Sequence, residues 1–135
     1  SPPASVVVVD RMGVLRSLYA LADVAFVGGS LVAAGGHNPL EPAAAGTPVL
    51  FGLHTDDFRW ICQTLVDAGG AIRVDGAGQL AQTVIQLIEA PEWRRRVGQS
   101  AFSVFAANQG AVTRTMAIVD RQSPFTSDTR AAADD

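Results

Sequence analysis

The chain has 135 residues, 48% of them hydrophobic and 17% charged, which allows one domain with a real core and excludes a wholly disordered chain. The formal net charge of −3 gives little support to duplex nucleic-acid binding through phosphate contacts. All ten basic residues are arginines, so Schiff-base, pyridoxal-phosphate and phosphate-loop chemistries that require a lysine are excluded within this segment.

Cysteine usage and hydropathy argue against disulfide, zinc and membrane roles. Cys62 is the single cysteine, and with only two histidines beside it the chain lacks the paired spacing of a structural zinc site. No uninterrupted apolar run is long enough to span a membrane, and no signal peptide is visible. We therefore expect a soluble segment that binds no metal and no cofactor.

Short apolar runs alternate with helical patterns along the first half of the chain. The first run, Val6 to Val9, consists of β-branched residues only and predicts a strand buried on both faces. Strands are predicted at residues 6–9, 24–27, 48–51 and 71–74. This alternation predicts βαβ units in a parallel, doubly wound sheet, that is, a Rossmann-like α/β fold with flanking helices.

The helical patterns have periodic apolar residues and recognisable ends. Helices are predicted at residues 15–22, in the alanine-rich segment before Gly46, and at 57–68, 79–90, 91–107 and 111–120. Asn108 and Gly110 are expected to break the helix that Pro91 opens. The polar residues after Ser123 indicate a tail, so residues 1–122 are interpreted as the domain and residues 123–135 as disordered.

The candidate ligand site lies in the loops that follow the predicted strands, because ligands of open parallel sheets bind beyond the carboxyl ends of the strands. These loops comprise residues 10–13, 28–37 and 52–55. The middle loop carries Gly28, Gly29, Gly35 and Gly36 and leads into a helix start, a combination that suits an anion.

Glu41 is the only formally charged residue between Asp23 and Asp56, and two interpretations of it stay open. With Asn38 as N-cap, Glu41 stands at the position of a capping box and would bind a backbone N–H. If the helix instead begins at Pro42, the carboxylate is free at the sheet's edge, where it would accept hydrogen bonds from a pair of ribose hydroxyls.

Other polar residues near this edge have an ordinary and a functional interpretation. His37 is either a hydrogen-bonding loop residue or a group that polarises a substrate oxygen. His54, Asp56 and Asp57 form an acid/base cluster in one interpretation, whereas Asp56 or Asp57 caps the next helix in the other. Cys62 falls on an apolar stripe and is interpreted as a core residue.

The stretch GGSLVAAGGHNPLEPAAAGTPVLFG, residues 28–52, closely resembles the nucleotide-binding segment of 3-deoxy-D-manno-octulosonic acid (Kdo) transferases. Residues 10–29 are similar to the family segment that precedes it. The resemblance implies the GT-B architecture of two Rossmann-like domains around a cleft. It also implies that this chain is most of the C-terminal, nucleotide-sugar-binding domain.

The resemblance implies a site for the nucleotide of CMP-Kdo (cytidine monophosphate linked to Kdo). The implied nucleotide-binding residues are Met12, Gly13, Val14, Asn38, Pro39, Leu40 and Glu41. It favours Glu41 as the ribose ligand. The family's catalytic base, most of its surface for the lipid A precursor and its membrane contact belong to the N-terminal half, so no catalytic residue is assigned here and the chain alone is expected to be inactive. The implied location of the whole enzyme is the cytoplasmic face of the bacterial inner membrane, in lipopolysaccharide biosynthesis.

Several positions depart from the family pattern and keep alternatives open. Val14 stands where the family usually has Glu, Thr47 where it has Lys, and residues 53–58 differ from a Pro-His-x-Phe-Asn-Phe-like run. One alternative is another GT-B enzyme that uses a UDP-sugar, either a glycosyltransferase or an epimerase. The other is a non-catalytic interaction module whose apolar surface serves a partner protein.

Overall fold

A parallel three-stranded sheet forms the centre of the chain. The computed structural model describes residues 5–9 and 13–122. Its strands are β1 (Ala25–Phe26), β2 (Val49–Phe51) and β3 (Ala71–Arg73), paired in the order β1-β2-β3. All three residues of β2 are completely buried, as expected for the central strand of a sheet covered on both faces. Three of the four predicted strands are thus confirmed.

The strand predicted at Val6–Val9 is wrong for this structure. These four residues pair with no strand among the described residues, and Val8 is 87% exposed. A β-branched run becomes a buried strand only where a neighbour supplies ladder hydrogen bonds and packed layers cover its two faces. The described parts of the chain supply neither to Val6–Val9.

Helices flank the sheet and occupy the expected segments. They are α1 (Leu15–Leu21), α2 (Leu40–Ala44), a 3-10 helix (Asp56–Phe58), α3 (Arg59–Asp67), α4 (Ala77–Glu89) and α5 (Pro91–Gln122). The predicted break at Asn108 and Gly110 is wrong, because α5 runs through both. Gly110 does not adopt the positive φ of a helix-ending glycine. The modest helix propensity cost of Asn and Gly, about 1 kcal/mol or less each, is thus insufficient to end a helix whose earlier turns are packed.

Two hydrophobic clusters, one on each face of the sheet, form the core. Val49 and Phe51 point into a cluster built with α2, α3 and the middle of α5, and Leu50 points into the opposite cluster with Leu87 of α4. Helix α5 reaches both, because Val97 belongs to the second cluster and Ala101 to the first. Helices on both faces confirm the α/β fold class.

The approach of α5 to the turn after α2 is unusually close. A Cβ at Gly98 would overlap the carbonyl oxygen of Gly46. Glycine is therefore required at position 98 for α5 to lie at this distance from the turn.

Within the described residues, none of the helices combines the length and apolar character needed to cross a membrane.

Candidate functional site

The loops that follow β1 and β2 are joined by a buried serine. The Ser30 hydroxyl donates to the carbonyl oxygen of Val27 at 2.6 Å and accepts the N–H of Gly52 at 2.8 Å. The Ser30 carbonyl oxygen also accepts the N–H of His54 at 2.9 Å. Since Ser30 is completely buried, it fixes the two loops relative to each other without facing a ligand itself.

The glycine loop closes on itself. The N–H of Gly36 donates to the carbonyl oxygen of Gly29 at 2.9 Å, and the N–H of His37 donates to that of Gly28 at 3.1 Å. Gly29, Gly35 and Gly36 have positive φ, a backbone conformation that glycine adopts readily. The glycines therefore serve the loop's fold, and the amides of Gly36 and His37 are already engaged.

A cleft of about 760 Å³ lies between α1, the end of β1, the glycine loop and the start of α2. A volume of this order is typical of small-molecule sites. Its lining residues are Leu15, Tyr19, Val27, Gly28, Ala34, Gly36, His37, Asn38, Glu41, Asp57 and Phe58. Among the described residues, this lining contains two carboxylates and no arginine.

Glu41 lies in the first turn of α2, and its exposed side chain lines the cleft. Helix α2 begins at Leu40, with Pro39 at the N-cap position and no side-chain cap. Asn38 Oδ1 accepts the N–H of Leu40 at 3.0 Å, and among the described residues the Glu41 carboxylate accepts no hydrogen bond. The capping-box interpretation is therefore wrong, and no residue in the described ranges occupies the carboxylate at the cleft.

The negative charge of Glu41 affects the pKa of Tyr19 in α1. Burial raises the pKa of the Tyr19 phenol above 10.0, and the negative charge of Glu41 raises this pKa further. Tyr19 is also tied to the core through its backbone, because the buried hydroxyl of Thr47 donates to the Tyr19 carbonyl oxygen at 2.6 Å. The two walls of the cleft are therefore close enough to interact.

The residues implied by the resemblance occupy different depths. Asn38 and Glu41 line the cleft, whereas Pro39 is buried and Leu40 packs against the core. Gly13 and Val14 directly precede α1, whose first residue, Leu15, lines the cleft. Met12 lies outside the described residues.

The proposed cluster of His54, Asp56 and Asp57 is divided by the structure. Asp56 forms an exposed ion pair with Arg59 at 2.9 Å, and His54 takes part in the loop contact to Ser30. Only Asp57 lines the cleft. Neither aspartate caps a helix, because the 3-10 helix and α3 have no side-chain cap, so the expected capping role is wrong.

Cys62 is confirmed as a core residue, and burial raises the pKa of its thiol.

Arg73, at the end of β3, supports the loop after β2 and was not recognised from the sequence. Its guanidinium lies 5.1 Å from the ring centroid of Phe51, and Nη1 donates to Thr55 Oγ1 at 3.1 Å. A single arginine ending a strand carries no motif, so only the fold reveals this role.

In the described part of the chain, no three His, Cys, Asp or Glu side chains are grouped so that they would hold a metal ion.

Fold and cleft together define a class of protein, namely an α/β domain with a ligand cleft at the carboxyl edge of a parallel sheet. No protein-family profile matches the chain. It is 43% identical over 112 residues to the 3-deoxy-D-manno-octulosonic acid transferase of Haemophilus influenzae, covering 82% of this chain and 26% of that protein. The Bordetella pertussis transferase of the same name is 38% identical over 115 residues, covering 85% of this chain and 27% of that protein.

A solved structure agrees with these relatives. The crystal structure of the C-terminal CMP-Kdo binding domain of WaaA from Acinetobacter baumannii superposes with a TM-score of 0.68 at 33% identity, covering 71% of this chain and 50% of that chain. The chain belongs to the 3-deoxy-D-manno-octulosonic acid transferase family and corresponds to part of its C-terminal domain. It spans about a quarter of the length of the curated relatives it matches.

Proposed function

We propose that the chain is the nucleotide-sugar-binding part of a glycosyltransferase that transfers Kdo from CMP-Kdo to a lipid A precursor. The observation that carries this proposal is the free carboxylate of Glu41 at the start of α2, in a cleft of nucleotide size. The likeness to a CMP-Kdo binding domain supports it.

Glu41 accepts hydrogen bonds from the two ribose hydroxyls. An ionised carboxylate offers only acceptors, and a vicinal diol offers two donors, so the pair is complementary. Asn38 stands beside Glu41 in the same cleft lining and holds the first turn of α2 in place through its bond to Leu40. Pro39 and Leu40 act from beneath the cleft by packing rather than by contact with the ligand.

The phosphate lies at the start of α1, next to the backbone of Gly13 and Val14. Met12, which the resemblance also assigns to this contact, lies outside the described residues. The first N–H groups of a helix have no acceptor inside it, and they favour a negative charge. These amides stabilise the charge that develops on the leaving CMP, while an acceptor hydroxyl forms the new bond to the sugar and gives its proton to a base outside this chain. The reaction inverts the sugar's configuration and requires no metal.

The remaining three quarters of the relatives' length supply the base, the acceptor surface and the contact with the inner membrane, at its cytoplasmic face. This chain alone therefore binds the nucleotide but catalyses no transfer.

Titration of the chain with CMP and UMP, followed by calorimetry and by amide chemical shifts, tests the proposal. CMP is expected to bind, and Glu41→Ala to weaken it about ten- to hundredfold, since a hydrogen bond to a charged group contributes about 1.5–3 kcal/mol. Glu89→Ala is the matched control, because Glu89 is an exposed glutamate at the end of α4. Binding of UMP in preference to CMP supports a UDP-sugar enzyme instead. No response to either nucleotide refutes the proposal and supports an interaction module.

A further inference from the structure

Asp57 is a second carboxylate in the cleft, and its position is fixed by the glycine loop. It belongs to the 3-10 helix Asp56–Phe58, and its N–H donates to the carbonyl oxygen of Gly35 at 3.2 Å. Its carboxylate lies over the Cα of Gly35, where a Cβ would overlap it. Gly35 also has a φ of 86°, so both the space and the backbone conformation favour glycine there.

No structural role within the described residues accounts for the Asp57 carboxylate. It caps no helix, and it forms no ion pair or hydrogen bond there, unlike its neighbour Asp56, which pairs with Arg59. Asp57, which has no partner in the part of the chain that the structure describes, shares the cleft with Glu41. Two carboxylates in one cleft are unfavourable for an anionic ligand, because like charges repel. A ligand group that donates a hydrogen bond to Asp57 would offset this repulsion.

We propose that Asp57 is a specificity-determining residue, whose carboxylate accepts a hydrogen bond from the exocyclic amino group of cytosine. This inference rests on the proposed function. Cytosine presents an amino donor at the position where uracil presents a carbonyl acceptor. An ionised carboxylate is an acceptor only, so it attracts the first base and repels the second.

The neighbouring wall of the cleft suits a base. Phe58, next in sequence to Asp57, lines the same cleft, and an aromatic ring provides a stacking surface for any base. The two carboxylates thereby have separate tasks. Glu41 binds the ribose, which all ribonucleotides share, and Asp57 distinguishes the base.

Binding of CMP and UMP to the chain and to Asp57→Asn tests this assignment. The chain is expected to bind CMP about tenfold more tightly than UMP, within the range of a specific base contact. In Asp57→Asn the ratio of the two affinities is expected to fall to about one, because a side-chain amide can either accept from the amino group or donate to the carbonyl oxygen. Asp57→Ala, which has neither group, is the second variant and is expected to lose the preference as well. Circular dichroism checks that each variant is folded.

Asp56→Asn is the matched control. It removes the same charge from the neighbouring residue, whose side chain does not line the cleft. It is expected to leave the ratio unchanged. If Asp57→Asn strengthens CMP and UMP equally, Asp57 acts through charge alone and the inference is wrong, although the proposed function stands. If the unmodified chain binds neither nucleotide, both are wrong.

Discussion

Replacement of Ser30 by alanine tests whether one hydroxyl holds the two loops of the site together. The substitution removes the bond to the Val27 carbonyl oxygen at 2.6 Å and the bond from the Gly52 N–H at 2.8 Å. Ser30 is completely buried, so water does not readily replace the hydroxyl. Each group left without a partner costs about 1–3 kcal/mol, and because two groups are affected we expect a total loss of about 2–6 kcal/mol in the free energy of unfolding.

Urea unfolding followed by circular dichroism measures this loss, and the melting temperature is expected to fall by roughly 8 °C or more. Ser103→Ala is the matched control. Ser103 is exposed on α5, and its hydroxyl only bonds the carbonyl oxygen of Gln99 one turn earlier, so its loss is expected to stay within about 0.5 kcal/mol. If Ser30→Ala and Ser103→Ala cost the same, the buried hydroxyl does not join the loops and the reasoning is wrong.

Two further predictions concern α5 and Tyr19. Gly98→Ala is expected to destabilise the fold by about 1–3 kcal/mol, because the new Cβ would overlap the Gly46 carbonyl oxygen. Gly78→Ala, in α4 with nothing near its Cβ position, is expected to stabilise by about 0.5–1 kcal/mol; equal effects in thermal melts would contradict this. Tyr19 is the single tyrosine, and Glu41→Gln is expected to lower the pKa of its phenol, which stays above 10.0 because burial is the larger cause. An ultraviolet titration of the phenolate measures this pKa, and an unchanged value would show that the Glu41 charge does not reach Tyr19.

The pH dependence of stability follows from the same raised pKa of Tyr19. A phenol with a higher pKa in the folded state contributes stability that is fully present below the unfolded pKa of about 10 and lost as pH rises through the folded pKa. Glu41→Gln therefore reduces this loss of stability at alkaline pH.

The strands and helices were largely predictable because the spacing of hydrophobic residues along the chain indicates which side chains are buried. Val49 to Phe51 form an apolar run and are the most buried strand, so local pattern and tertiary structure agree there. Val6 to Val9 have the same local pattern but lie exposed, because pairing with a neighbour is not a local property. Asn108 and Gly110 led to the opposite error, because a helix end was predicted where α5 continues. Helix propensity alone does not determine where a packed helix ends.

The candidate site was only partly predictable. Asn38 and Glu41 were found because they belong to a contiguous motif, and both line the cleft. Asp57 reaches the cleft only through the contact of the 3-10 helix with Gly35, which no spacing along the chain encodes. Ser30 and Arg73 act by joining loops that are distant in sequence, so their roles follow from the fold alone.

Helix α5 contributes side chains to the hydrophobic clusters on both faces of the sheet. The two hydrophobic clusters consequently share α5, so neither cluster can unfold while the other keeps its full packing. Denaturation should proceed as a single all-or-none event, with the strands and α5 protected from solvent exchange to a similar degree.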